Sequence, residues 1–298
     1  MKKFVTLFSL IIMFCLIFTG CACTQTPPTQ IKAVWWWNDE FTETETTTYL
    51  NFLKENKVNQ IYYCSSKFNS ETADFIAKAN NLNISVFWLD GNYKWLHSST
   101  EEDKLHNKIS KYNEYNSQHP NAQFAGIHLD IEPHQSKNPD NVNPDNQLPD
   151  NLNFKTDIGR QNLITSLITL ASNLKTTYPQ INFTYDIPFW MHDEINFNNQ
   201  TLPAYKHIIN IADNVVVMSY RDSAEKIYDV AKEELTYAES VNKTITLSVE
   251  CGTEEDAVTF MQEGKQALNS ELEKLANLVP NNTGICIHHI KTWFNLQD

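Results

Sequence analysis

Residues 124–134 read FAGIHLDIEPH, an apolar run that ends in two carboxylic acids and a proline. The run has the length of a buried strand, and Pro133 ends it because proline has no N–H for a strand's hydrogen-bond ladder. Side chains alternate along a strand, so His128, Asp130 and Glu132 share one face. The stretch therefore predicts a strand that carries acids at its C-terminal end.

Seven further β-rich runs accompany this one along the chain, at 31–37, 58–66, 84–90, 181–190, 214–220, 244–250 and 284–290. Helical patterns lie between several of them, at 46–56, 71–82, 159–178, 223–241 and 255–278. Eight strands that alternate with helices in a chain of this length predict an α/β protein, a single (β/α)₈ TIM barrel over residues 31–298. The alternative is a doubly wound sheet. If that sheet bound a dinucleotide, it would need a glycine-rich turn after the first strand, where this chain reads WWWNDEF.

The first 20 residues have the layout of a secretory signal peptide, with Lys2 and Lys3 ahead of an apolar core. Residues 18–21, FTGC, resemble the lipobox of bacterial lipoproteins, which implies cleavage before Cys21 and lipidation of its thiol. Residues 21–30 would then form a tether. This layout predicts a cell-envelope protein anchored in a membrane through a lipid on Cys21, either on the outer side of the cytoplasmic membrane or in the outer membrane. A plain transmembrane anchor is the alternative.

The net charge and one segment of unusual composition give two further predictions. The formal net charge of −13 argues against nucleic acid and anionic polymers as partners. Residues 134–154 contain Pro-Asp-Asn three times at a spacing of five, a composition that predicts a long surface loop after the fourth strand. This loop is either a flexible solvated insertion or, in the alternative, a lid or a rim stiffened by a cation.

The ends of the eight runs carry many acids and aromatic residues. In a barrel of this kind the functional residues gather at the C-terminal ends of the strands. The candidates are Trp36, Trp37, Asp90, Asp130, Glu132, Asp186, Trp190, Tyr220, Asp222, Glu250, His288 and Trp293. Paired carboxylates flanked by aromatic platforms suit the cleavage of a glycosidic bond, because one protonated acid must donate to the leaving oxygen. We therefore expect a carbohydrate substrate, no cofactor, and a Glu132 that titrates above a free glutamate.

The strand-four motif resembles that of a known family. AGIHLDIE (125–132) is similar to the Asp-x-x-Asp-x-Asp-x-Glu signature of glycoside hydrolase family 18, the chitinase-like barrels, with Ala125 and His128 replacing the first two acids. MSYRD (218–222) resembles the strand-six Met-x-Tyr-Asp of that family, with Arg221 in place of the Asp. The resemblance implies Glu132 as general acid, Asp130 as the group that orients a substrate acetamide, and Tyr220 as a partner of the acetamide oxygen.

A second resemblance leads to a different mechanism. Glu132-Pro133 is similar to the strand-four Glu-Pro of the large clan of retaining barrel hydrolases, whose nucleophile is a glutamate at the end of strand seven. Glu250 lies at that place. This mapping implies Glu132 as acid/base and Glu250 as nucleophile, with carboxyl groups about 5 to 5.5 Å apart.

Two other classes of protein remain open. A set of acids and histidines at the strand ends would suit a metal-dependent barrel hydrolase. Its members are Asp130, Glu132, His134, Glu250, His288 and His289. However, neighbouring histidines on a strand point to opposite sides, so only one of His288 and His289 would face the site. The other class is a lipoprotein that binds a carbohydrate on a degenerate barrel without cleaving it.

Overall fold

All eight apolar runs form strands of one closed, parallel barrel. The computed structural model describes residues 30–37, 41–138, 147–252 and 257–298. The barrel strands are β1 (Lys32–Trp37), β2 (Gln60–Cys64), β3 (Ser85–Asp90), β4 (Gly126–Leu129), β5 (Phe183–Pro188), β8 (Asn214–Met218), β9 (Thr246–Glu250) and β10 (Gly284–His288). They pair in the order β1-β10-β9-β8-β5-β4-β3-β2, and β1 pairs with β10 to close the ring. The predicted (β/α)₈ barrel is confirmed.

Eight helices surround the strands in the described part of the chain. They are α1 (Glu43–Glu55), α2 (Ser70–Asn80), α3 (Ser99–Gln118), α4 (Asp157–Thr177), α5 (Ala204–Ile211), α6 (Ala224–Ser240), α7 (Gly264–Leu275) and α8 (Ile290–Asn295). Side-chain caps fix where several of them begin. Thr42 and Glu45 form a capping box on α1, and the Ser98 and Thr156 hydroxyls accept backbone N–H bonds at the starts of α3 and α4.

A two-stranded hairpin follows β5 and was not predicted. Strands β6 (Glu194–Phe197) and β7 (Gln200–Pro203) pair antiparallel outside the barrel. Asn198 and Asn199 connect them with φ values of 51° and 61°, in the left-handed region that asparagine tolerates well. The Asn-Asn pair is the sequence signal from which this turn could have been predicted.

The core has two parts, one on each side of the barrel wall. The larger lies between strands and helices and includes Trp36, Tyr49, Phe75 and Trp293. The smaller lies inside the barrel and contains Trp35 among its buried residues. The smaller one closes the floor beneath the C-terminal ends of the strands.

Several predictions fall on residues that the structure does not describe. The signal peptide over 1–20, the lipidation site at Cys21 and most of the tether lie outside the described residues. Residues 139–146 of the predicted loop lie outside them too. The base of this loop is closed by Asn138, whose side chain accepts from the N–H of Leu148 at 2.7 Å. Within the described ranges, no helix is long and apolar enough to cross a membrane.

Candidate functional site

The two acids of the strand-four motif lie just beyond β4 at the mouth of the barrel. Asp130 is held there by its backbone N–H, which donates to the Asp90 carbonyl at the end of β3 at 3.0 Å. Gly91 makes this close approach possible, because a Cβ at that position would lie 1.9 Å from the Asp130 carbonyl oxygen. The backbone of β3 thus fixes where the acids of β4 point.

Behind these acids lies a fully buried polar pair. His128 of β4 is 0% exposed, and its Nε2 contacts Oδ2 of Asp186 on β5. Asp130 Oδ1, Asp186 Oδ1 and His128 Nδ1 have no hydrogen-bond partner within the described residues. Buried polar atoms without partners are costly, so their accumulation at one end of the barrel indicates a functional site rather than a packed floor.

The carboxyl groups share an environment that favours their neutral forms. Burial, reinforced by Asp130, raises the pKa of Glu132 to about 7. Burial and the neighbouring Asp186 raise the pKa of Asp130 to about 7 as well. Burial lowers the pKa of His128 to about 3 and raises that of Asp186 well above its ordinary value. The raised pKa of Glu132 agrees with the prediction from the sequence.

Two cavities meet at Glu132, and we name them the polar lobe and the aromatic lobe. The polar lobe, about 140 Å³, is lined by Trp37, Cys64, Leu89, Asp90, Gly91, Asn92, Tyr93, Asp130, Glu132 and Gln135. The aromatic lobe, about 230 Å³, is lined by Glu132, His134, Pro188, Phe189, Trp190, Met218, Tyr220, Arg221 and Val258. Glu132 lines both lobes, and its side chain is 18% exposed. Its carboxyl group is therefore accessible to a ligand in either lobe.

The end of β10 brings a second ionisable pair to the site. Nδ1 of His288 lies 2.5 Å from Oε2 of Glu250. The other carboxyl oxygen, Oε1, accepts from the backbone N–H of Cys251 at 2.8 Å and from that of Gly252. Because both oxygens of Glu250 already have partners and the residue is 3% exposed, its position suits an orienting role towards His288.

His288 in turn lies among aromatic rings. Its ring centroid is 5.2 Å from Trp35, 5.9 Å from Trp37 and 6.0 Å from Tyr220. The ring of His289 is 5.3 Å from that of His288. Burial, followed by the negative charge of Asp186, raises the pKa of Tyr220 well above its ordinary value, so Tyr220 keeps its hydroxyl proton.

Two of the predicted substrate-binding tryptophans are not at the site, and these predictions are wrong. Trp36 is 1% exposed and packs outside the barrel wall against Phe41, Tyr49 and Phe75. Its neighbours on β1 point the opposite way, because side chains alternate along a strand. Trp293 is also 1% exposed and packs on Phe52 with a centroid distance of 4.9 Å. Both are core residues.

The other candidates differ in whether they line one of the two lobes. Trp190 is 39% exposed and stacks edge-on against His134, which places it on the outer rim of the aromatic lobe. Asp90 lines the polar lobe while pairing with Lys108 at 2.5 Å. Asp222 pairs with Lys226 at the start of α6 and is not among the residues that line either lobe.

Sequence reasoning missed several residues of the site. Trp35 lies beneath it and contacts both His128 and His288. Tyr93 follows β3 in a short 3₁₀ helix and lines the polar lobe, and Phe189 lines the aromatic lobe. The alternation of β1 offered a signal for Trp35, because it shares the parity of Trp37. Tyr93 and Phe189 lie near or after the ends of strands, where the alternation of side chains no longer predicts which way a residue points.

The residues of the metal-dependent alternative are not gathered into one cluster in the described part of the chain. Within the described ranges, no three histidine, cysteine, aspartate or glutamate side chains are grouped so that they could hold a metal ion. Glu132 and His134 approach each other, with Nε2 of the histidine 3.5 Å from Oε1, but they form a pair only.

Comparisons with known proteins find structural likeness without sequence likeness. No family profile and no curated protein sequence matches this chain. Its structure is similar to a chitinase from Bacteroides thetaiotaomicron, with a TM-score of 0.55 and 13% identity over 88% of this chain and 90% of that one. It is also similar to the spore cortex-lytic enzyme SleL from Bacillus megaterium QM B1551, with a TM-score of 0.50 and 12% identity over 89% and 73% of the two chains.

A third similar structure is a polyextremophilic β-galactosidase from Halorubrum lacusprofundi, with a TM-score of 0.55 and 10% identity over 87% of this chain. This chain spans only 52% of that protein's length. At such identities the likeness establishes the barrel fold alone. Two of the three neighbours, the chitinase and the β-galactosidase, carry names of carbohydrate-active enzymes.

Proposed function

We propose that this protein is a glycoside hydrolase in which Glu132 is the general acid. One observation carries the proposal: Glu132 lies where the two lobes meet, and its pKa of about 7 keeps much of it protonated near neutral pH. A glycosidic bond that spans both lobes would present its oxygen to this carboxyl group. Proton donation by a positioned acid contributes a factor of about 10² to 10⁴ in rate.

In this proposal Asp130 and Tyr220 assist from opposite lobes. Asp130 lines the polar lobe, and its buried Oδ1 has no hydrogen-bond partner within the described residues, so its carboxyl group would accept from an N–H or O–H of a sugar substituent that enters between them. Tyr220 lines the aromatic lobe and keeps its proton, so its hydroxyl donates to a substrate oxygen. These roles suit a mechanism in which the substrate's own acetamide attacks the anomeric carbon.

The alternative two-glutamate mechanism needs Glu250 as nucleophile. A nucleophilic carboxylate must direct a lone pair at the anomeric carbon. Both oxygens of Glu250 are already engaged, by His288 on one side and by two backbone N–H groups on the other. We therefore favour the acetamide-assisted mechanism, with N-acetylhexosamine-containing glycans as the substrate class.

The deciding experiment compares the parent with Glu132→Gln and with a control, Glu239→Gln, which makes the same change at an exposed position on α6. The full chain, purified in detergent, is incubated with N-acetylglucosamine-containing and neutral oligosaccharides, and products are read by mass spectrometry. We expect the parent and the control to cleave the former and Glu132→Gln to lose about 10² to 10⁴ in rate.

Other outcomes select other classes. If no protein cleaves but all retain glycans on an array, the chain is a carbohydrate-binding protein on a degenerate barrel. If cleavage stops with a chelator and returns with a metal, it is a metal-dependent hydrolase. Cleavage of neutral oligosaccharides alone would support the two-glutamate mechanism.

We further propose that the protein is anchored at the cell envelope through a lipid on Cys21. The support is the sequence layout of residues 1–21, with an apolar segment ahead of the FTGC motif. Labelling cells with a clickable fatty acid tests this proposal. We expect the label on the parent and not on Cys21→Ala, and equal labelling of the two would refute it.

A further inference from the structure

The chain contains two arginines, and the structure treats them differently. Arg160 lies on α4 and is saturated, with Nη2 2.9 Å from Asp157 and Nε 2.9 Å from Asp193. Arg221 follows β8 and has no carboxylate within ion-pair distance in the described part of the chain. In a protein of net charge −13, an arginine that has no acidic partner among the described residues is unusual.

Arg221 is nevertheless held in place. Its Nη1 donates to the carbonyl oxygen of Tyr220 at 2.6 Å, and its guanidinium carbon lies 4.6 Å from the ring centroid of Phe189. Stacking on an aromatic face fixes the plane of a guanidinium while leaving its other N–H groups available. This geometry holds the guanidinium group in place, and its other N–H groups have no hydrogen-bond partner within the described residues.

The fork lies in the aromatic lobe, while the acids lie mainly in the polar one. Asp90 and Asp130 line the polar lobe, Arg221 lines the aromatic lobe, and Glu132 is common to both. Because the pKa of Glu132 is raised to about 7, the one acid that lines both lobes carries only part of its charge near neutral pH. The two lobes therefore differ in charge as well as in polarity.

We infer that Arg221 binds a carboxylate on the sugar unit that occupies the aromatic lobe. A planar guanidinium matches a carboxylate through two parallel N–H···O bonds, and a neutral hydroxyl offers no such match. This inference rests on the proposed function and narrows it: the substrate is an N-acetylhexosamine-containing glycan in which neighbouring units carry carboxylates. Arg221, and not Asp130 or Glu132, would then make the site prefer a glycan with a carboxylate over the same glycan without one.

The test measures binding in a background that does not cleave. Glu132→Gln chains, full length in detergent, carry in addition Arg221→Gln, Arg221→Lys or Lys226→Gln. The last is the matched control, because it removes one positive charge from an exposed position five residues along the chain. Calorimetry compares oligosaccharides bearing a hexuronate or a lactyl ether, each as the free acid, as its carboxamide, and with a phosphate in place of the carboxylate.

We expect the free acid to bind about 10 to 100 times more tightly than the carboxamide where Arg221 is present, since a charge-assisted pair contributes about that factor. Arg221→Gln should abolish the preference, Arg221→Lys should keep part of it, and Lys226→Gln should leave it intact. Equal binding of acid and carboxamide, or a preference that survives Arg221→Gln in a folded protein, overturns the inference. Tighter binding of the phosphate analogue would overturn the assignment to carboxylates.

Failure of this inference and failure of the proposed function are distinguishable. If the parent cleaves neutral and acidic chains equally, the hydrolase stands and the role of Arg221 falls. If the Glu132→Gln protein selects the acid while the parent cleaves nothing, Arg221 keeps its role in a binding protein. Circular dichroism identifies any variant that fails to fold, and Arg221→Lys, which keeps the charge and most of the side-chain volume, then supplies the comparison.

Discussion

Trp35 and Trp36 are neighbours on β1 with nearly the same burial and opposite surroundings. Trp36 faces the helices, where its ring contacts Phe41, Tyr49 and Phe75. Trp35 faces the barrel interior, where it meets His128 and His288. The outer side of the wall is apolar and packed. The inner side holds acids and histidines, and Oδ1 of Asp130, Oδ1 of Asp186 and Nδ1 of His128 have no hydrogen-bond partner within the described residues.

The apolar outer side of the wall stabilises the fold, whereas the buried carboxyl groups on the inner side destabilise it. The outer layer buries large apolar side chains, which is the main favourable contribution to folding. The inner layer keeps carboxyl groups out of water, which costs free energy unless they stay protonated. Mutations on the two sides should therefore have opposite consequences.

The largest expected effect is on the outer side. Trp36→Ala should lower the free energy of unfolding by about 3–5 kcal/mol, because it empties a packed aromatic cluster. Urea denaturation followed by circular dichroism measures this loss. The control is Trp190→Ala at the 39% exposed rim position, where we expect a change within about 0.5 kcal/mol. Equal losses at both positions would end the distinction between the two layers.

The next effect is on the inner side and concerns pH. Only protonated Glu132 donates a proton, and its pKa is about 7. We therefore expect kcat/KM to fall about tenfold per pH unit above that value. A pH–rate profile measured on a cleaved oligosaccharide checks this. A rate that stays flat well above pH 7 would remove Glu132 as the acid.

The third prediction is a substitution on the inner side that raises the free energy of unfolding, whereas Trp36→Ala on the outer side lowers it. Folded Asp130 keeps its proton up to about pH 7, whereas an unfolded aspartate loses it near pH 4. The folded state binds more protons in this window, so the stability of the parent falls as the pH rises through it. Asp130→Asn removes that dependence and should stabilise the protein by about 1–3 kcal/mol at about pH 8, with little effect below pH 4.

Thermal unfolding at several pH values measures this gain. Asp229→Asn is the matched control, because that side chain is 66% exposed in its pair with Lys232. The control should show no comparable gain. A destabilised Asp130→Asn protein at alkaline pH would mean that the charged form of Asp130 is favoured in the fold.

The smallest expected effect concerns the rim. Trp190 forms edge contacts with His134 and Phe154 and leaves part of its ring exposed. Trp190→Ala should weaken oligosaccharide binding by about 0.5–1.5 kcal/mol while leaving the unfolding free energy nearly unchanged. Titration calorimetry in the Glu132→Gln background measures this. Unchanged affinity would remove Trp190 from the binding surface.

The sequence predicted the barrel well, because eight runs of the right length and composition are enough to determine it. Each predicted strand overlaps an observed one, and the ends differ by a few residues. Of the helix predicted over 255–278, residues 255 and 256 lie outside the described residues, and among the rest the helix runs from Gly264 to Leu275. Before it, Thr259 pairs with Glu250 in a β-bridge, and Phe260 N–H donates to the Glu250 carbonyl at 2.9 Å. These contacts extend the sheet and outweigh the local helical pattern.

The site was predicted in part, and its errors have a common origin. Asp130 and Glu132 were located because one motif places them on one face. Trp36 and Trp37 were both proposed for the substrate, although adjacent side chains of a strand cannot both face the cleft. The alternation of side chains divides a strand into two faces, but it does not show which face points into the barrel. Arg221 was noted only as a departure from a motif, since its orientation depends on Phe189 in another loop.

Gly91 carries no functional group, yet the site depends on it. With 1.9 Å between its missing Cβ and the Asp130 carbonyl oxygen, the space available is smaller than a methyl group. Any side chain there would push the end of β4 away and move both acids together, with their chemistry unaltered. Gly91→Ala, which adds a single carbon atom, should therefore displace both acids. The glycine directly after β3 is therefore as much a part of this site as the glutamate that follows β4.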